Sequence, residues 1–294
     1  MHRFFLLRFA RHGLATGTSF PDKRAATDPK HIPAHRRPVM IIDSYTHCGI
    51  SKYLPIEDVS ATMDRAGVHR AVLAQHLGEF DNSYIQGVVA ANPDRYAGVC
   101  LVDHESAAVV GELESLAEST CCQGVRWPIA PEIDNLDLVG RTLDLGLIVV
   151  AYFPESIAVC VDEVSHLLEA HPAGTLVASH LGNPTENQPD PLQDFQQAGV
   201  FDLLSADGLV IQLSGMEMTT GFPHQGLHAL VAEFYRSAGP TRLTWGSNFP
   251  VVGSADDYVA ELELLTGGQL PIPDEAIPAV AGGNAERIWF GDRA

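Results

Sequence analysis

From residue 40 onward, short apolar runs alternate with amphipathic stretches. The apolar runs are "VMIID" (39–43), "RAVLAQ" (70–75), "AGVCLVD" (97–103), "GVRW" (124–127), "LIVVAYF" (147–153), "TLVASH" (175–180), "LVIQLSG" (209–215) and "RLTWGS" (242–247). They are apolar throughout instead of alternating, which predicts strands buried on both faces of a parallel sheet. Helical patterns lie between them. "PIEDVSATMDRAG" (55–67) has an early proline, acids in its first turn and a closing glycine, the signals of a helix start and stop. Residues 82–93, 106–119, 136–146, 156–172, 224–239 and 255–267 follow the same logic. Eight such strand runs with seven helical patterns among them predict an α/β fold, a (β/α)8 TIM barrel over 40–294 with no internal linker. No G-x-G-x-x-G follows the first strand, which weighs against a dinucleotide fold.

In such a barrel the chemistry sits where strands end and βα loops begin. The strand ends deliver, in order, Tyr45 and His47; Gln75 and His76; Asp103 and His104; Arg126 and Trp127; Tyr152; His180; Ser214 and then Glu217; and Asn248. Packing alone does not explain so many polar groups at one end of one barrel. His47 and His180 arise at equivalent strand–loop junctions, which favours function over a satisfied turn histidine. Arg126 closes an apolar strand, so its cation meets either a buried carboxylate or a ligand anion, and the ligand is preferred. Trp245 near the eighth strand end, with neighbouring aromatics, suggests contact with a flat or apolar part of a ligand. His69, His166, His171 and His228 fall at strand starts or on helices and read as structural or solvated.

Charge changes the picture at the N-terminus. The net charge is −19, yet the first 39 residues hold eight Lys/Arg and two acids. Residues 40–294 therefore carry 10 bases and 35 acids, a net charge of −25. Such acidity argues against nucleic acid and anionic membrane as main partners; a small-molecule substrate is expected, with a homo-oligomer compatible. The opening "MHRFFLLRFARHG" is interrupted by Arg8, a poor secretory core and too short for a membrane span. Residues 1–39 are expected to form a basic, weakly ordered extension, with a transit peptide or an upstream start-site artefact as the other readings. The five cysteines show no C-x-x-C spacing, which suggests reduced thiols in a cytoplasmic protein. Cys48, beside His47, is a candidate reactive thiol, though packing under the loop is preferred.

"IIDSYTHCG", "GVRW", "SHLG", "WGSNFP" and "GGNAERIWF" together resemble the amidohydrolase-related branch of the amidohydrolase superfamily. "HLGEFDNSYI" (76–85) is similar to a segment of its lactone-hydrolase group. The resemblance covers about residues 40–291. It implies the same barrel, with metal ligands, in members that hold one, from both strand-1 histidines, a histidine after strand 5 and an aspartate after strand 8. Here those positions read Tyr45, His47, Tyr152 and Asn248. A neutral amide and two phenols are poor ligands for a divalent ion, so no resident metal or other cofactor is expected. A weakly held Zn²⁺ on His47 and His180 is the alternative.

The resemblance extends to metal-independent lactonases, and the departures shape the expected chemistry. Asn248 cannot take a proton, so His180 is the first choice of general base. His47 and Tyr45 are expected to donate hydrogen bonds to a developing oxyanion, and Asn248 to orient water or substrate. Arg126, with Tyr152, His76, Gln75, Glu217 and Trp245, is expected to bind the substrate. The leading expectation is a metal-independent hydrolase of a small anionic lactone or related cyclic ester or amide. The alternatives are a lyase such as a decarboxylase, or an isomerase, on the same barrel, and a non-catalytic ligand binder.

Overall fold

The computed structural model of the chain describes residues 40–185 and 190–291. The expectation for residues 1–39 lies outside the described residues. Eight parallel strands run in sequence order: β1 (Ile42–Thr46), β2 (Arg70–Ala74), β3 (Tyr96–Cys100), β4 (Gly124–Pro128), β5 (Ile148–Tyr152), β6 (Leu176–Ala178), β7 (Leu209–Leu213) and β8 (Leu243–Trp245). The helices between and after them are α1 (Ile56–Ala66), α2 (Ser83–Ala91), α3 (Val109–Glu118), α4 (Leu136–Asp144), α5 (Val161–Ala170), α6 (Pro191–Ala198), α7 (His228–Ala238) and α8 (Ala255–Thr266). This is the expected (β/α)8 barrel. The strand positions agree with the apolar runs, except that β1 begins three residues later than "VMIID" and β3 ends three residues before "AGVCLVD" does. The α6 helix escaped the periodicity because it is short, although Asp190 caps it by accepting from the Gln193 N–H and Pro191 opens its first turn.

Strand parity divides the interior into two layers, because successive side chains of a strand point to opposite faces. Ile42, Val72, Ala74, Ala97, Val99, Val150, Val177 and Val210 pack inside the barrel as one cluster with Tyr45. Leu73, Val125, Trp127, Ala151, Ile211, Leu213 and Trp245 pack outward, between the strands and the helices. Arg126, set between Val125 and Trp127, therefore falls to the interior.

The β8 side closes on β1 through side chains and loop backbone. The Asp43 carboxylate accepts from the Ser247 N–H (2.9 Å), the Ser247 hydroxyl (2.6 Å) and the Tyr258 hydroxyl of α8 (3.0 Å). Ser44 donates to Trp245 O at 2.7 Å, and Asn248 N–H donates to Tyr45 O at 2.9 Å. Gly246 permits this approach, since a Cβ there would lie 2.7 Å from the Tyr45 Cβ. No helix among the described residues is long and apolar enough to cross a membrane.

Candidate active site

Seven of the expected residues, Tyr45, His47, Arg126, Tyr152, His180, Glu217 and Asn248, converge at the C-terminal mouth of the barrel. Tyr45, at the end of β1, is fully buried, with its ring edge-on to His47 (centroids 5.0 Å apart) and to His180 (4.9 Å). Its hydroxyl has no hydrogen-bond partner. Burial pushes its pKa up to about 12, against the pull of Arg126, so the group stays a phenol and a donor.

Arg126, on β4, is 6% exposed. Its guanidinium lies 5.6 Å from the Tyr45 ring centroid and 5.3 Å from that of Tyr152. One nitrogen donates to Gln75 O at 3.3 Å, the Nε–H is buried without a partner, and no described carboxylate pairs with the group. Buried cations normally pair with an anion.

Two imidazoles flank this cation. His47 Nδ1 lies 2.7 Å from Ala74 O. A carbonyl only accepts, so Nδ1 carries the proton and Nε2 is left for Asn248. Burial, then Arg126, push the His47 pKa down to about 3. His180 is held by a chain of polar groups. Gln212 Nε2 donates to Ser44 O (3.0 Å), which fixes its Oε1 toward the Ser214 hydroxyl (3.2 Å). Ser214 Oγ must then accept from both His180 N–H (3.2 Å) and Nδ1–H (3.1 Å), leaving Nε2 as a free lone pair. Burial, Arg126 and His47 hold this imidazole well below its usual pKa, hence neutral.

The backbone at His180 has φ +54°, and Leu181 follows at +56°. Such strain in non-glycine residues is characteristic of functional sites. Gly215 makes the ring's position tenable, because a Cβ there would lie 2.4 Å from His180 Nδ1.

Asn248 also adopts a left-handed conformation, at φ +55°. Its Nδ2 donates to Glu217 Oε1 at 2.6 Å, and its side chain also bonds His47. Burial raises the Glu217 pKa. Behind Glu217 lies a buried pair not anticipated from sequence, His224 Nε2 to Glu261 Oε1 at 2.7 Å. Tyr152 is half-buried, its ring 6.4 Å from that of His180.

Other expected residues stand further out. Gln75 braces its loop, donating to Asp81 O at 2.9 Å and accepting from the His76 N–H at 3.0 Å, so only its backbone carbonyl meets Arg126. His76 reaches the rim, its ring 5.5 Å from Tyr53. Trp245 points outward and packs edge-on to Tyr258, with centroids 5.9 Å apart. Strand parity turns it away from the mouth, so it is a packing residue here. Cys48 is buried and its thiol is pushed up to about 12, which makes it the packing group and not a reactive thiol. Tyr53 was not singled out in the sequence. It stacks on His47 at 4.7 Å and 13° between planes, and its only sequence signal is an aromatic in the first βα loop.

The centre does not fit a resident divalent metal. Among the described residues, no group of three or more His, Cys, Asp or Glu is placed to hold one. The donors at the mouth are two imidazoles, an amide, two phenols and one carboxyl, Glu217, which is tied to Asn248, and the field of Arg126 bears on both imidazoles.

Against this geometry, three solved structures share the fold. An amidohydrolase from Burkholderia multivorans with bound zinc is 20% identical, with a TM-score of 0.68 over 85% of this chain and 99% of that one. A Pseudomonas putida protein provisionally described as a 2-pyrone-4,6-dicarboxylic acid hydrolase is 20% identical, with a TM-score of 0.68 over 85% and 97%. The 5-carboxyvanillate decarboxylase of Sphingomonas paucimobilis is 17% identical, with a TM-score of 0.61 over 86% and 99%. No curated protein matches the chain significantly. The family model described as Amidohydrolase matches residues 33–291, and the chain belongs to that enzyme family.

Proposed function

We propose that this protein is a metal-independent hydrolase that opens a small anionic lactone or a related cyclic ester or amide. The observation that carries this proposal is Arg126, a buried guanidinium with no described carboxylate partner, set between two tyrosine rings and beside two neutral imidazoles. A substrate carboxylate would pair with it. Burial first, and then the field of Arg126, keep His180 a weak base, and that pairing would cancel much of the second.

His180 Nε2 then takes a proton from water as the water oxygen adds to the ring carbonyl carbon. The Tyr45 hydroxyl, buried and unpartnered, donates to the oxyanion that forms. Collapse breaks the ring C–O bond, and the His180 imidazolium returns its proton to the leaving oxygen. The product is the ring-opened hydroxy acid. Tyr152 and His76 flank the entry, and Asn248 orients the groups around His47.

A decarboxylase is the second possibility. It is favoured by Asn248, which leaves no carboxylate at that position to draw a proton from water. The test is a panel of carboxylate-bearing lactones assayed with a chelator present, where ring opening is expected to persist. Activity abolished by the chelator and restored by zinc or manganese overturns metal independence. Carbon dioxide release without a ring-opened acid transfers the protein to the lyases.

A further inference from the structure

Residues 40–294 hold ten Lys/Arg, and nine of them fall among the described residues. Five arginines pair with carboxylates. Two more, Arg242 and Arg287, donate to backbone carbonyls away from the mouth. That leaves Arg126 and Lys52, and both stand at the C-terminal mouth. Lys52 is the only lysine after residue 39. No described carboxylate pairs with either cation, although the same stretch carries 35 acids. Two cations kept clear of so many acids, at one end of one barrel, call for an anion from outside.

The first βα loop places Lys52 at that end. Gly49 N–H donates to Leu54 O at 2.9 Å and closes a tight turn. A Cβ at residue 49 would press on the Lys52 carbonyl, so the turn requires glycine. Tyr53 follows in the left-handed region, at φ +71°. Lys52 Nζ lies 5.0 Å from the centroid of the Tyr53 ring, and a cation–π contact keeps the ammonium there. Ring contacts lead inward from that point. Tyr53 stacks on His47 at 4.7 Å, His47 meets Tyr45 at 5.0 Å, and Tyr45 lies 5.6 Å from the Arg126 guanidinium. Lys52 is exposed and Arg126 buried, so the two cations mark the outer and inner ends of one line of contacts.

We propose that Lys52 is the outer anion-binding residue of the mouth, which draws a ligand carboxylate from solution and passes it to Arg126. The inference rests on the reading of Arg126 as that carboxylate's partner. An acidic barrel repels an anion at long range, and one exposed cation beside the entry offsets that repulsion locally. Lys52 is a specificity-determining residue in this role. It favours anionic ligands over neutral ones, and its effect fades as salt screens it.

The test is an NMR titration with benzoate and with benzamide, a neutral counterpart of similar shape. Wild type is compared with Lys52→Met, Lys52→Glu and Arg141→Met. The last removes an equal charge from α4, on the outside of the barrel. At low ionic strength, benzoate binding is expected to weaken about 2- to 5-fold in Lys52→Met and about 4- to 25-fold in Lys52→Glu, the scale of an exposed charge contact. Both losses should shrink toward none in 1 M salt, where the screening length is about 3 Å. Arg141→Met should bind benzoate as wild type does, and benzamide should bind all four proteins alike. Equal benzoate affinity in wild type and both Lys52 variants overturns the proposal. So does an equal loss in Arg141→Met, a parallel loss for benzamide, or a wild type that takes benzoate no better than benzamide. Absence of lactone ring opening with the Lys52 dependence intact overturns the hydrolase reading alone.

Discussion

The guanidinium carbon of Arg126 lies 5.6 Å from the ring centroid of Tyr45, beside a phenol whose hydroxyl is buried without a partner. One member of the pair is an unsatisfied cation and the other an unsatisfied donor, and both face the same small space. Replacing Arg126 with leucine is expected to raise KM for an anionic substrate by about 30- to 150-fold, from loss of a charge-assisted contact of about 2–3 kcal/mol. Thermal stability should hold or rise in the same variant, because a buried unpaired charge is removed. A fall in melting temperature with unchanged KM would mean that Arg126 is a structural cation.

Tyr45→Phe isolates the hydroxyl. The ring contacts with His47 and His180 survive, so stability should stay level or improve by about 1 kcal/mol on loss of an unsatisfied polar atom. The catalytic constant should fall by about 10²-fold, as when one oxyanion donor is deleted. Parallel denaturant unfolding and steady-state kinetics check the two halves separately.

The buried imidazoles predict acid sensitivity. His47 takes a proton near pH 6.5 when unfolded but only at about 3 when folded. The unfolded chain therefore binds more protons between those values, and stability is lost as pH falls through the window. At pH 5 the loss from His47 is about 2 kcal/mol. Asp43 acts in the opposite sense: burial raises its pKa from 3.8 to about 6, so its contribution falls as pH rises between those values. Comparing His47→Gln with wild type cancels the Asp43 effect. The variant should lose distinctly less stability between pH 7 and pH 5 in urea titrations.

Asp43→Ala should open the closure between β1 and β8. It strands the Ser247 N–H and hydroxyl, the Tyr45 N–H and the Tyr258 hydroxyl in the interior. A cost of about 3–5 kcal/mol is expected, read as a shifted midpoint of denaturant unfolding.

Gly215→Ala tests the placement of His180. The new methyl would fall 2.4 Å from His180 Nδ1 on a backbone at φ +65°. Stability should drop by about 1–3 kcal/mol, and turnover by more than stability explains once the assay is run well below the melting temperature.

The sequence by itself determined the barrel and its working end. Runs apolar on both faces can be satisfied only in a parallel sheet covered by helices, and the order of strand and helix then fixes which residues stand at the mouth. Tyr45, His47, Arg126, Tyr152, His180 and Asn248 were legible for that reason. Tertiary structure decided the rest. Trp245 lies in a strand buried on both faces, where hydrophobicity does not reveal parity, and only packing against Tyr258 turned it outward. The clamp on Asp43 joins residues 204 and 215 positions apart, a separation that no local pattern encodes. Tyr53 sits in a loop, whose course depends on long-range contacts, and Glu217, already named from the sequence, received its Asn248 partner only from the fold. The polarity of the two imidazoles came from the carbonyl of Ala74 and the hydroxyl of Ser214, partners brought to them only by the closed barrel.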